Sequence, residues 1–157
     1  MSKVKVDSMV DNKLEKSGQT LSEFNEVFRM IMPIRWGDMD AFGHVNNTNY
    51  FRYAEQLRIE WLESSRVPLP AGQGPVIVTA SMNFRQQLHY PGRLICTLYT
   101  KAPGRSSIDT RYTLQREDDP RGAIYADGEA RIVWVDYAAA KSLPLPDAMR
   151  ALLPAAA

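Results

Sequence analysis

The sequence predicts an α+β domain in which one long helix packs on one face of a curved antiparallel sheet. Three observations lead there. An apolar stretch of strand length precedes a single segment of helical periodicity, and four further strand-like segments follow it, separated by tight turns. The helical segment also carries more apolar residues than one buried stripe needs, as a helix wrapped by its sheet would.

The elements follow in order. Residues 1–24 are polar, mixed in charge and without sustained periodicity, which predicts a flexible N-terminal extension ahead of a domain spanning 25–153. From Glu26, the residues Val27, Phe28, Met30, Ile31, Met32 and Ile34 make a first strand ending at Arg35-Trp36-Gly37. Asn46 and Asn47 are good N-cap residues, and Tyr50, Tyr53, Ala54, Leu57 and Trp61 recur at helical spacing, predicting a helix over 47–64. Phe51, Ile59 and Leu62 widen its apolar face, predicting cover on more than one side. The Pro- and Gly-rich run 67–75 breaks the chain. Strands are then predicted over 76–85, 94–101, 107–116 and 123–136, with a terminal helical turn over 147–153. Alternation is only partial in the third of these, and Ile132-Val133-Trp134-Val135 reads as a strand buried on both faces.

Composition excludes several classes of function. A chain of 157 residues with 45% hydrophobic and 24% charged residues fits one globular domain, and a net charge of +1 gives no broad attraction to nucleic acid or an anionic membrane. The single cysteine, Cys96, cannot form an intramolecular disulfide and reads as core packing. Two histidines, His44 and His89, cannot build a zinc site, and no further His or Cys supports Asp38, Asp40 and His44 as metal ligands. The first residues lack the apolar core of a signal peptide, and no run reaches membrane-spanning length. The expectation is a soluble cytoplasmic protein with no metal or bound cofactor, and with neither nucleic acid nor membrane as partner.

Chemistry concentrates in 36–58, WGDMDAFGHVNNTNYFRYAEQLR. Two carboxylates, an imidazole, a glycine and two amides lie in the loop feeding a helix N-terminus, where unpaired N–H groups and the helix dipole favour developing negative charge. That combination suits acyl transfer: a carboxylate serves as nucleophile or general base, and a backbone N–H polarises the carbonyl.

The same string resembles the signature of hot-dog-fold acyl-CoA thioesterases of the 4-hydroxybenzoyl-CoA thioesterase type, in the branch where HVNN precedes the helix and long-chain acyl-CoA is hydrolysed. The resemblance implies a hot-dog fold, a curved antiparallel sheet wrapped around a long central helix. It implies Asp40 as the catalytic carboxylate, attacking directly or activating water, and the Asn47 N–H as the carbonyl-polarising donor. His44 and Asn46 belong to the HVNN variant. They depart from the apolar and aromatic residues of the benzoyl-CoA type, so a fatty acyl group is the expected substrate. The active site spans two subunits of a homodimer or homotetramer, with the facing strand around Val78 to Asn83, including Thr79, closing an acyl pocket that Tyr50 also shapes. Arg105 with Ser106 matches the basic turn near the nucleotide end of CoA.

Other readings of these residues stand beside these. Asp38 reads as a cap or Asx-turn that shapes the loop, and His44 as a group that positions Asp40, contacts substrate or simply satisfies the loop. Glu55 and Arg58, three apart on the helix, read as an ion pair, and His89 as a surface-turn residue. Trp36, Trp61 and Trp134 read as core or interface aromatics. The rival functions are an enoyl-CoA hydratase or dehydratase on the same fold and a non-catalytic acyl-CoA-binding module. Acyl carrier protein is an alternative thioester carrier to CoA.

Overall fold

The computed structural model describes residues 23–155; most of the predicted extension, 1–22, lies outside the described residues. Strand β1 (Asn25–Ile34) leads through a 3-10 turn (Trp36–Asp38) to helix α1 (Asn47–Ser65). Then come β2 (Gln73–Phe84), β3 (Gly92–Thr100), β4 (Ser107–Arg116), β5 (Ile124–Asp136), a short β6 (Lys141–Ser142) and α2 (Asp147–Arg150). The strands form one antiparallel sheet in the order β1-β3-β4-β5-β2, with β6 continuing on β5. With α1 laid on one face, this is the hot-dog arrangement that the sequence resembles.

Helix α1 begins where Asn46 stays extended and its side-chain oxygen accepts the Thr48 N–H at 3.0 Å. It ends where the chain turns left-handed at Arg66, φ 52°. Its buried residues are the five of the predicted stripe, Tyr50, Tyr53, Ala54, Leu57 and Trp61. They meet Leu94, Cys96 and Leu98 of β3, Ile108, Tyr112 and Leu114 of β4, and Trp134 of β5 in one core. Burying each large side chain there is worth about 1.5–3 kcal/mol.

Among the described residues nothing covers a second side of α1: Phe51 and Ile59 are 37% and 45% exposed, because the sheet packs on one face of the helix. Strand β5 likewise departs from expectation. Ile132 and Trp134 point into the core while Val133 and Val135 are half-buried on the reverse face, where no second layer of the described residues lies. In β4 the alternation is complete because Thr110 takes a core position and its hydroxyl donates to the Ala130 carbonyl at 2.9 Å. Strand β2 starts at Gln73, inside the predicted breaker. It is an edge strand, so Pro75 opposite Trp134 leaves no neighbouring strand without a donor.

Two details tie the sheet together. Tyr112 lies across Gly128, and its hydroxyl donates to the Ser81 carbonyl of β2 at 2.7 Å; a Cβ on Gly128 would fall 2.6 Å from the Tyr112 ring. At the far end of the sheet the C-terminal segment straps the turn before β4. The Leu145 N–H donates to the Arg105 carbonyl at 2.9 Å, the Arg150 guanidinium donates to the Gly104 and Arg105 carbonyls, and Leu145 and Met149 are buried. No helix among the described residues is long and apolar enough to cross a membrane.

Candidate active site

Asp38 anchors the loop between β1 and α1. Its side chain is buried and accepts the Arg35 N–H at 2.8 Å and the Tyr53 hydroxyl at 2.7 Å, while the Arg35 guanidinium closes an ion pair at 3.0 Å. Its carbonyl accepts the Asn46 N–H at 2.9 Å and the Asn49 side-chain amide at 2.8 Å. Burial alone would push the Asp38 carboxyl up, but the Arg35 and Tyr53 hydrogen bonds outweigh it and hold it below the usual carboxylate range. Burial and the same carboxylate push the Tyr53 hydroxyl far up, so Tyr53 stays a neutral donor. Asp38 therefore has the capping and shaping role read from the sequence.

Two residues on, Asp40 sits in a tight turn. Its N–H donates to the His44 carbonyl at 3.0 Å, and its carbonyl accepts the Gly43 N–H at 3.1 Å. Gly43 has φ +83°, a conformation that glycine adopts without cost. Asp40 Oδ1 accepts the Phe42 N–H at 2.8 Å, whereas Oδ2 stands 3.8 Å from His44 Nδ1, beyond hydrogen-bond length. One carboxylate oxygen is thus committed to the turn, and Asp40 lines a cleft of about 240 Å³ together with His44, Asn47, Tyr50, Phe84 and Arg85.

The same cleft meets the start of α1. The Asn46 side chain serves Thr48 N–H and the Asn46 carbonyl serves Asn49 N–H at 2.9 Å, and the Asn47 N–H lies at the positive end of the helix dipole. Tyr50 forms one wall. Its hydroxyl accepts the Leu88 N–H at 3.2 Å, and its ring stands edge-on to Phe84, 5.1 Å between centroids. A partly exposed carboxylate oxygen, an imidazole and a first-turn N–H around a half-apolar cleft can deprotonate or attack, and can stabilise an oxyanion.

Of the expected site residues, the fold brings together Asp40, His44, Asn47 and Tyr50. Asn46 stands beside them with its side-chain oxygen engaged in the cap. Thr79 lines a separate groove on the sheet with Ser81, Asp109 and Arg131. Arg105 and Ser106 lie at the opposite end of β4 from Arg116, whose guanidinium reaches His89 beside the Asp40 loop, so one chain does not join them to the cleft. The Glu55–Arg58 pair does not form: Glu55 pairs with Arg52, one turn back on the outer face, and Arg58 makes no ion pair among the described residues. Trp61 and Trp134 are core residues as expected, but Trp36 is 78% exposed.

Sequence reasoning missed how the segment 85–91 meets this loop, with its residues 85–87 forming the far wall of the cleft. Arg85 is fixed by Asp127 at 2.9 and 2.7 Å, the Val45 N–H donates to the Leu88 carbonyl at 2.8 Å, and His89 Nδ1 is 3.0 Å from the Gly43 carbonyl. His89 is a turn residue as read, yet it touches the Asp40 loop. The Tyr53–Asp38 bond carried a usable signal, since a tyrosine in the middle of a buried helix stripe requires a partner for its hydroxyl.

Comparison with known proteins bears on the family and the fold. A family model described as the thioesterase-like superfamily matches residues 34–153. A solved structure of a provisionally assigned thioesterase from Pseudomonas aeruginosa is 36% identical, covers 81% of this chain and 98% of its own, and superposes with TM-score 0.75. A provisionally assigned acyl-CoA thioesterase from Xanthomonas campestris is 29% identical over 71% of this chain and 95% of its own, with TM-score 0.65. A 1,4-dihydroxy-2-naphthoyl-CoA thioesterase from Synechocystis shares the fold at TM-score 0.74 and 18% identity, over 80% of this chain and 94% of its own.

Proposed function

The chain belongs to the thioesterase-like superfamily, and from that premise we propose that it hydrolyses an acyl-CoA, with a fatty acyl group, to free acid and CoA. The observation that carries the reading is that Asp40 and the helix-start residue Asn47 line one cleft, with Asp40 Oδ1 held by the Phe42 N–H. The thioester carbonyl accepts the Asn47 N–H. Asp40 either takes a proton from water as the water oxygen bonds to the carbonyl carbon, or bonds to that carbon itself. The C–S bond then breaks, and the sulfur leaves with its electron pair to be protonated as CoA thiol. In the second route water releases the acid from Asp40. Helix-end charge stabilises the oxyanion in either case, an effect worth about 10²–10³ in rate for one such donor.

Tyr50 and Phe84 give the cleft the apolar wall an alkyl chain needs. The working form in this reading is a homodimer or a homotetramer. Among the described residues edge strand β2 has one neighbour and exposes Ile77, Val78 and Phe84, and α1 exposes Phe51 and Ile59. A second copy on that face would cover them, and would bring its Thr79 strand and its Arg105–Ser106 turn to an acyl chain and a CoA phosphate.

Thiol release from a panel of acyl-CoAs, short to long and aliphatic to aromatic, tests the proposal with wild type and Asp40→Ala side by side. The expected result is release by wild type that falls below detection in Asp40→Ala while the circular dichroism spectrum is retained. Near-wild-type turnover by Asp40→Ala would overturn the assignment of the carboxylate, and the absence of release from every substrate would overturn the thioesterase reading.

A further inference from the structure

The turn that aims Asp40 contains one residue able to change its backbone conformation cheaply, Gly43 at φ +83°. Its N–H is held by the Asp40 carbonyl at 3.1 Å. Its own carbonyl is met from outside the loop by His89 Nδ1 at 3.0 Å. The next residue, His44, presents its imidazole to Asp40 Oδ2, so a rotated Gly43–His44 peptide would displace the group nearest the reactive oxygen. His89 is itself fixed on both sides. Leu88 is fully buried and its carbonyl accepts the Val45 N–H, the Tyr90 N–H points at Met39 Sδ, and the His89 carbonyl accepts the Arg116 guanidinium at 2.9 Å, which Asp118 pairs at 2.7 Å. The segment that continues from the far wall thus holds the Gly43–His44 peptide of the Asp40 turn through His89.

We infer that His89 is a positioning residue: its Nδ1–H, donated to the Gly43 carbonyl, holds the Asp40–His44 turn in its working geometry. The inference rests on Asp40 being the reacting carboxylate. The contact requires hydrogen on Nδ1, which fixes the neutral tautomer as Nδ1–H. Asparagine carries an N–H donor at nearly the same reach and phenylalanine carries none.

The test compares wild type, His89→Phe and His89→Asn in steady-state thiol release on the best acyl-CoA of the panel, with amide hydrogen exchange at Gly43 measured on the same proteins. His89→Phe should lower kcat about tenfold with KM within about twofold, since a misaligned reacting group costs rate more than binding, and should speed Gly43 exchange by a similar factor. His89→Asn should return both toward wild type. Wild-type kcat in His89→Phe, a loss as deep in His89→Asn, or a loss confined to KM would overturn the inference. If wild type released no thiol, the function proposed above would fall, and exchange alone would decide on His89: equal Gly43 rates in wild type and His89→Phe overturn the clamp. Should His89→Phe fail to fold, His89→Ala against His89→Asn carries the same contrast.

Discussion

Replacing Asp38 by alanine removes the acceptor on which the start of the site is built, and the cost can be worked from its partners. The Tyr53 hydroxyl is the expensive orphan: the residue is 3% exposed, and its bond to Asp38 is 2.7 Å. Leaving such a group unpaired costs about 1–3 kcal/mol. Losing the bond to the Arg35 N–H, which is made like a helix cap, adds about 1 kcal/mol. The Arg35 guanidinium is 66% exposed and rehydrates, so its ion pair adds at most about 1 kcal/mol and is left out of the sum. Asp38→Ala should therefore lose about 2–4 kcal/mol, a fall in Tm of about 5–15 °C for a chain of this size. Urea unfolding followed by circular dichroism reads the loss as a lowered midpoint at unchanged slope. Because the orphan hydroxyl dominates, Tyr53→Phe in the Asp38→Ala background should restore about 1–2 kcal/mol, although Tyr53→Phe alone destabilises. Wild-type stability in Asp38→Ala, or a double variant no more stable than the single one, would refute the reasoning.

Other outcomes follow from neighbouring features. Gly128→Ala should cost at least about 2 kcal/mol, because its Cβ would meet the Tyr112 ring and the Ser81 carbonyl; thermal unfolding checks this, and pairing it with Tyr112→Ala should be less than additive. Asp38 and Asp109 are both held below their usual pKa, Asp109 chiefly by its hydrogen bond to Arg131. A depressed folded-state pKa gives stability that is present above the unfolded value and lost as pH falls through the folded one. Stability from these two groups should be flat from pH 7 to about 5 and fall below about 4, and Asp38→Asn or Asp109→Asn should flatten that acid limb in pH-resolved denaturation. Burial pushes the Cys96 thiol up to about 12, so a thiol reagent at pH 8 should label it only in urea.

Much of this was legible before any coordinates. The five-residue stripe of α1 announced itself because apolar spacing of 3–4 has one reading, and β4 because Ser107 and Arg116 are bounded by turn chemistry on both sides. The proximity of Asp40 and Asn47 was legible because loop and helix start are adjacent in sequence, so it needs no long-range contact. The far wall was not, since 85–91 reaches the Asp40 loop across more than forty residues and its contacts run through backbone carbonyls that leave no mark on residue type. Pro75 misled for a related reason: proline disfavours a strand only where a neighbour needs its N–H, and edge position is decided by the whole topology. Glu55 and Arg58 had the spacing of an ion pair, but Arg52 lies beside Glu55 on the outer face and takes its carboxylate.

The placement of β2 also sets a timetable for synthesis. Its one ladder partner among the described residues is β5, and the paired positions run from Phe84 with Ala126 to Gln73 with Asp136, separations of 42 to 63 residues. At about 5–20 residues per second, the strand leaves the ribosome some 2–13 s before the segment that can hold it. During that interval Ile77, Val78 and Phe84 have no sheet to join, and they are residues that stay exposed even in the finished chain. The edge that in the proposed assembly receives a second copy is therefore also the segment most open to capture by another nascent chain. Chaperone dependence and expression temperature should act on this protein through β2 before any other element.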